Sequence, residues 1–435
     1  MGAVAVVGAG LAGLSAALEL EAAGAHVEIF ERSRLLGGRA TSFEVDGRVV
    51  DNGQHVYLAC CTEFIAFVQR AGMGGALHTQ PNFDVLIFSK DGVSSRLRAG
   101  ALPAPLHVLS SFASYAHLTP GGKLRVARAL VALRLSPHSA REDQSFAQWL
   151  RDRGQDTQTM RAFWEPFLVP ALNAPLDRMN AAEAAFVLST AFLHDRDAAR
   201  FGFSTVPLAN IMDAAASRLD AVHRSCAVLR IIAAGDGIEL QTSVGDARFD
   251  GVVLAVPPRA LERLLGDPAS YGVPPLDVYE PYAIMDAHIW HDAGVLPFEF
   301  AAILDSPVQW IFQKAPGYLC CSLSSAGALI ASPTAEVVTK VWEELQQAVP
   351  ALRGASLVRG AATRNPEGTY LAAPGAPRPG PETRDPRVAI AGAWTATGWP
   401  DTMESAVRSG MAAARVLVKG TDAGSSRSRR PMAAR

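Results

Sequence analysis

An apolar run, Val4 to Val7, meets a glycine-rich turn in which Gly8, Gly10 and Gly13 stand in G-x-G-x-x-G spacing, and an apolar, alanine-rich stretch follows to about Ala23. No other part of the chain limits the fold so tightly. Gly8 permits a tight turn out of a strand, Gly10 lets a pyrophosphate approach the backbone, and Gly13 lets a helix pack closely on the sheet. The helix start offers unpaired N–H groups and a partial positive charge to phosphates. A second strand, His26 to Phe30, ends at Glu31, whose carboxylate can accept hydrogen bonds from a ribose 2′-OH and would repel a 2′-phosphate. The stretch reads as the βαβ opening of an α/β dinucleotide-binding domain.

The fingerprint alone does not separate NAD from FAD. Gly37, Gly38 and Arg39 follow Glu31 and supply two small residues and a cation near the same pyrophosphate. With them the stretch resembles the FAD domain of the amine oxidase and phytoene desaturase superfamily. The resemblance implies FAD as cofactor and an α/β fold, a Rossmann-like FAD-binding domain with an inserted α+β substrate domain. A hairpin, Ser42 to Val45 and Arg48 to Val50 around Asp46-Gly47, then delivers Asp51-Asn52-Gly53-Gln54-His55. In the resembled superfamily the matching D-x-G segment passes close to the flavin ring. The fuller DNGQH form is similar to that of the hydroxysqualene dehydroxylases, the squalene-associated FAD-dependent desaturases of bacterial hopanoid pathways. Gly53 would let the backbone approach a planar ring; Asp51, Asn52, Gln54 and His55 can donate, accept or shuttle protons. For His55 a hydrogen-bonded structural role is the competing reading.

At 435 residues there is room for two or more domains, and 49% hydrophobic with 19% charged residues is the composition of a folded chain. A formal net charge of −2 gives no general case for nucleic-acid binding. The glycines of the first apolar run belong to the fingerprint and no basic segment precedes it, so a cytoplasmic location is expected. Cys60/Cys61 and Cys320/Cys321 are adjacent pairs and Cys226 is alone, so neither a disulfide framework nor a C-x-x-C metal site is expected.

Charge is uneven in one place. Gly92 to Arg141 carries Arg96, Arg98, Lys123, Arg125, Arg128, Arg134 and Arg141 and no Asp or Glu. Prolines and polar residues exclude a spanning helix. Two readings stand level: an interfacial segment whose Leu102, Leu106, Leu109 and Phe112 enter an anionic membrane boundary, or a pair of substrate-domain helices with a solvated basic face.

The domains divide at 1–80 (FAD-binding, first part), 81–205 (helical, substrate- or membrane-facing), 206–270 (FAD-binding, second part), 271–380 (mixed sheet), 381–418 (FAD-binding, C-terminal part) and 419–435 (disordered tail). Phe163-Trp164-Glu165-Pro166-Phe167 and Pro170 to Pro175 resemble the corresponding dehydroxylase segments; such aromatics can line an apolar tunnel or simply form core. Strands are expected at Val228–Ile232, Ile238–Thr242, Val252–Val256, Ala283–Trp290, Pro297–Leu304, Val308–Phe312 and Tyr318–Leu323, with Tyr282, Trp290, Trp310 and Phe312 as candidate pocket walls. Pro374 to Pro386 reads as a surface loop.

A last strand, Val388 to Gly392, leads through Trp394, Thr395, Trp399, Asp401, Thr402, Met403 and Glu404 into a helix to about Val418. In the resembled enzymes this helix points its start at the flavin, so Gly392, Trp399, Thr402, Met403 and Glu404 join the candidate cofactor residues. Where the family has an aspartate after the glycine, this chain has Ala393. Loss of such a contact costs on the order of 1 to 3 kcal/mol, and Glu404 or Thr395 are the candidates to compensate.

The resemblance implies reductive loss of hydroxide from hydroxysqualene to give squalene, a polyisoprenoid substrate and neighbouring squalene-pathway enzymes. Hydroxide is a poor leaving group, so an acid must protonate it, and the cation then takes hydride from reduced flavin in a site closed to water. His55 and Asp51 are the candidate acid or relay. Two alternatives remain open: a desaturase or isomerase of a carotenoid-like polyisoprenoid, and a membrane-surface binding protein with a vestigial flavin site.

Overall fold

The computed structural model describes residues 2–45, 47–136 and 140–427. The hairpin tip at Asp46 and the tail beyond Arg427 lie outside the described residues.

Strand β1 (Ala3–Val7), helix α1 (Leu11–Ala22) and strand β2 (His26–Glu31) form the expected unit. They sit in a five-stranded parallel sheet whose order is Ala221–Arg224, β2, β1, Gly251–Leu254 and Val388–Ile390. The central strands are buried on both faces, which explains why Val4–Val7 and Val252–Leu254 are continuous apolar runs rather than alternating ones. Helix α1 is buried on nearly every side because the C-terminal helix, Met403–Arg427, crosses it closely. A Cβ on Gly410 would lie 2.1 Å from the Ala12 carbonyl. That helix runs to Arg427, past its expected end near Val418 and into the stretch read as disordered.

A seven-stranded sheet forms the second layer, in the order Leu357–Ala372, Tyr279–His291, Tyr318–Leu323, Trp310–Ala315, Phe300–Ile303, Asp84–Phe88 and Ser94–Arg98. It joins strands from both sides of the helical segment, so residues 84–98 belong to the same sheet as 279–372. One face packs on helix Thr334–Ala348, the other on the helices between Pro120 and Leu193. A separate antiparallel meander, Val228–Ala234, Gly237–Thr242 and Gly245–Phe249, includes one strand the sequence did not signal.

The basic run folds as strand Ser94–Arg98 and helices Leu109–Ala113 and Pro120–Leu135. Four of its cations meet acids from outside the run: Arg96 and Arg98 on Asp84, Arg125 on Asp156, and Arg141 on Asp143. Its excess charge is therefore smaller in space than in sequence. No helix among the described residues is long and apolar enough to cross a membrane.

Candidate functional site

The glycine turn splits into residues the chain needs for itself and one it leaves open. A Cβ on Gly13 would lie 1.9 Å from the Gly8 carbonyl, and Gly8 itself has φ +99°, so both are required by the turn and the helix above it. Gly10 differs. Nothing nearer than the Gly37 carbonyl, at 3.8 Å, faces its missing side chain, and no side chain caps the start of α1. Open space thus lies beside unpaired helix amides, the requirement for an anionic ligand.

Around this opening the polar groups are tied together. Glu31, buried at the end of β2, accepts from the Ala9 and Ser33 amides, each at 2.8 Å, one per carboxylate oxygen. A carboxylate has about four acceptor positions, so capacity for a ribose hydroxyl remains. Gly37 donates to the Ala9 carbonyl at 2.8 Å, which holds Gly38 and Arg39 against the turn. Arg39 makes a two-pronged ion pair with Asp401, both contacts 2.8 Å, and also donates to the Gly368 carbonyl. Its charge is thereby neutralised by the C-terminal motif, a partner the sequence did not reveal.

At that motif Thr402 caps the last helix through the Ser405 amide at 3.3 Å, Met403 packs on the nucleotide-domain core, and Trp399 stands edge-on to Phe186. Gly392 donates to Ser409. Glu404 is spent elsewhere: its carboxylate accepts from the Glu63 and Phe64 amides, at 3.1 and 2.8 Å, and from Arg408. It caps the start of α2 (Thr62–Arg70), so its carboxylate is engaged inside the protein. The Thr395 hydroxyl donates to the Gly392 carbonyl. The Ala393 side chain lies in the core, while its carbonyl accepts from Ser405 at 2.8 Å and from Arg378 at 2.7 Å. Arg378 also donates to the Trp394 and Trp399 carbonyls and pairs with Glu183. The loop read as mere surface thus carries the arginine that shapes the C-terminal half of the cradle.

The Asp51–His55 segment closes the cradle toward the large sheet. Asp51, at the end of β4 (Arg48–Asp51), which pairs with β3 (Ser42–Val45), accepts from the Ser42 hydroxyl at 2.6 Å and the Leu208 amide at 3.0 Å. Its other oxygen lies 3.9 Å from Lys314. Asn52 ties the segment to the Arg39 carbonyl. The His55 Nδ1 is 2.9 Å from the Gly53 carbonyl, and burial lowers its pKa. Asp51 and His55 are adjacent to the seam but each is already engaged.

Gly53 and Gln54 meet a residue the sequence reading passed over. Asp286, fully buried in the strand Tyr279–His291, accepts from the Gln54 amide at 3.1 Å, and its second oxygen sits 2.9 Å from where a Gly53 side chain would begin. Gly53 is therefore glycine for a reason beyond approach to a ring: the Asp286 carboxyl fills its side-chain space. Burial raises the Asp286 pKa to about 6, opposed by hydrogen bonds from Gln54, Ser322 and Cys320. A lone acid within the apolar run Ala283–Trp290 was the available signal.

Asp286 shares a sheet face with a buried aromatic cluster. It lies opposite Ser322, which lies opposite Trp310; one row on, His288, Cys320 and Phe312 align in the same way. Trp310 stands among Phe201, Phe300 and Phe167, and its indole N–H is satisfied by the Pro166 carbonyl. Trp290 does not join them. It stacks on Tyr318 at 4.7 Å under Arg48 and Arg359, at the far end of the strand. Trp164 is core, bonded to Gln155, whereas Phe163 and Phe167 are partly buried, Phe167 packing on Trp310 and Phe163 on Phe167.

The flavin containing amine oxidoreductase family model matches residues 11–418. The chain belongs to that family. It is a flavin oxidoreductase, and FAD is its cofactor. The residues present fit that group: an open helix start at Gly10, a glycine turn closed by Gly37-Gly38, an acid at the end of β2 with spare acceptor capacity, and a capped helix start at Thr402. Bound there, FAD would supply two-electron redox chemistry; the chain's own part is to seat it and to control protons and water beside it.

Among curated relatives, the chain is 28% identical to a hydroxysqualene dehydroxylase of Sinorhizobium fredii, over 96% of this chain and 98% of that protein. It is also 28% identical to a hydroxysqualene dehydroxylase of Rhodopseudomonas palustris, covering 95% and 97%. A zeta-carotene desaturase of Arabidopsis thaliana is 24% identical over 95% of this chain and 85% of its own. Among solved structures, a redesigned putrescine oxidase superposes with a TM-score of 0.74 at 17% identity, covering 96% and 99%, which establishes the shared fold.

Proposed function

We propose that this flavoenzyme removes the hydroxyl of hydroxysqualene reductively to give squalene, within hopanoid or other triterpenoid synthesis. The observation that carries the reading is the end-to-end likeness to hydroxysqualene dehydroxylases, with nearly all of both chains aligned. The geometry supports it. A long apolar alcohol needs an apolar wall, and the buried aromatic cluster around Trp310 would back one. Departure of hydroxide needs an acid in a site closed to water, and the polar groups at the Gly53 seam lie on the same sheet face as that wall.

Likeness to a zeta-carotene desaturase favours a second reading, desaturation of a carotenoid-like polyene on the same scaffold. Anaerobic incubation with FAD, a reductant and hydroxysqualene, beside a parallel incubation of oxidised enzyme with a polyene, separates the two when products are identified by mass. Squalene in the first supports dehydroxylation; no squalene, with polyene oxidised, overturns it.

We further propose that such a substrate arrives from the inner face of an anionic bilayer. Leu102, Leu106 and Leu109 are each about half exposed, at 50%, 49% and 51%, next to a helix whose exposed side carries Leu124, Arg128, Val131 and Leu135. Vesicles containing anionic lipid should bind the protein, and Leu106→Ser with Leu109→Ser should weaken that binding with activity toward detergent-dispersed substrate kept.

A further inference from the structure

We propose that Asp286 is the proton donor of this site, a buried carboxylic acid seated beneath Gly53 that protonates the departing hydroxyl of the substrate. The proposal rests on the dehydroxylation reading above and names the acid it requires.

Four observations converge on this residue. Asp286 is 0% exposed, and of its two oxygens one accepts from the Gln54 amide and the Cys320 thiol while the other has no partner. An unpartnered oxygen on a buried carboxyl costs free energy unless something meets it, and in a native site it marks a place where a ligand or proton belongs. That oxygen points into the side-chain space of Gly53, the residue placed by resemblance next to the flavin ring. The same sheet face carries the buried aromatic cluster of Trp310 two strands away, about 10 Å at the usual strand spacing.

The other polar groups facing this carboxyl are poorer acids or are engaged. Asp51 serves the Ser42 hydroxyl and the Leu208 amide, and Lys314 stands beside Asp51. Burial lowers the His55 pKa and pushes that of His288 down to about 4. Tyr318 bonds the His288 ring, and burial raises the Cys320 and Cys321 thiols and the Tyr318 hydroxyl well above neutrality. Asp286 is poised near neutrality, since burial raises its pKa to about 6. The nearby Asp51 charge acts in the same direction.

The step balances as follows. The substrate C–O bond breaks as the hydroxyl takes the Asp286 proton and leaves as water; reduced FAD, when bound, would supply the two-electron hydride that completes the hydrocarbon. Asp286 is left as a carboxylate and regains a proton before the next turnover.

The test uses the full-length FAD-loaded protein as wild type, Asp286→Asn and Asp286→Glu. Infrared spectra of the wild type should show the carbonyl stretch of a protonated carboxylic acid that titrates near pH 6, missing from Asp286→Asn. With reduced flavin and hydroxysqualene, Asp286→Asn should lose at least about 100-fold in rate at unchanged FAD content. The wild-type rate should fall as pH rises through the titration, and Asp286→Glu should keep that falling limb. Wild-type turnover by Asp286→Asn, or an infrared band unchanged in it, overturns the assignment. Should Asp286→Asn fail to fold, a flat wild-type pH profile without a titrating band does the same. A wild type that leaves hydroxysqualene untouched while the band is present overturns the dehydroxylation reading instead, and the donor role with it.

Discussion

The cofactor cradle and the seam beneath Gly53 are neighbours built on opposite terms. In the cradle the ionisable side chains have partners inside the protein: Glu31 on two amides, Arg39 on Asp401, Glu404 on the start of α2, Arg378 on three carbonyls and Glu183. At the seam the Asp286 carboxyl and the His288 ring each keep one buried atom without a partner. A region that only has to hold a ligand can complete its own hydrogen bonding and wait in shape. One that must give up a proton has to keep a bond unmade, at a cost in stability.

The contrast breaks most sharply at Gly13. Gly13→Ala puts a methyl 1.9 Å from the Gly8 carbonyl, so the turn must open, and the purified variant should be colourless, with no bound flavin absorbance. Next comes Asp286. Its folded pKa of about 6 lies above the usual unfolded value, so the native state binds the extra proton and stability falls as pH rises from about 4 through 6. Above that range the accumulated loss approaches about 3 kcal/mol. Denaturant titrations at pH 8 should therefore find Asp286→Asn more stable than wild type, by an amount that vanishes near pH 4. Equal stability at both pH values would mean that the seam stores no such cost.

Asp401→Asn should destabilise by about 2 kcal/mol, since it leaves a partly buried Arg39 without its counter-charge. Because the pair joins both halves of the cradle, FAD affinity should drop with it, which dialysis followed by flavin quantitation would show. Glu404→Gln should cost about 1 kcal/mol from the weakened helix cap, with FAD content unchanged. If FAD were lost instead, Glu404 would belong to the cofactor after all.

Legibility followed the range of the signal. The βαβ unit and the last strand and helix were readable because glycine spacing and apolar runs are local, and their residues act on neighbours in sequence. Arg39–Asp401 and Asp286–Gln54 were not, because their partners are 362 and 232 positions apart and no period marks them. Trp290 was misplaced for a related reason. Strand alternation puts it on the face of Asp286 and His288, but only strand pairing shows that its row runs through Tyr318 to Ala315 rather than to Trp310. The positive charge of Gly92–Arg141 was plain; its partial neutralisation by Asp84, Asp143 and Asp156 is a property of the folded surface.

The Arg39–Asp401 clasp also sets a timetable for the newborn chain. Arg39 leaves the ribosome 362 residues ahead of its partner, a wait of roughly 20 to 70 s at common synthesis rates. During that interval α1 lacks the helix that covers it and the sheet lacks its Val388–Ile390 edge. Both halves of the cradle are thus present together only late in the synthesis of each molecule, and a chain that stops short of Asp401 should purify without flavin colour.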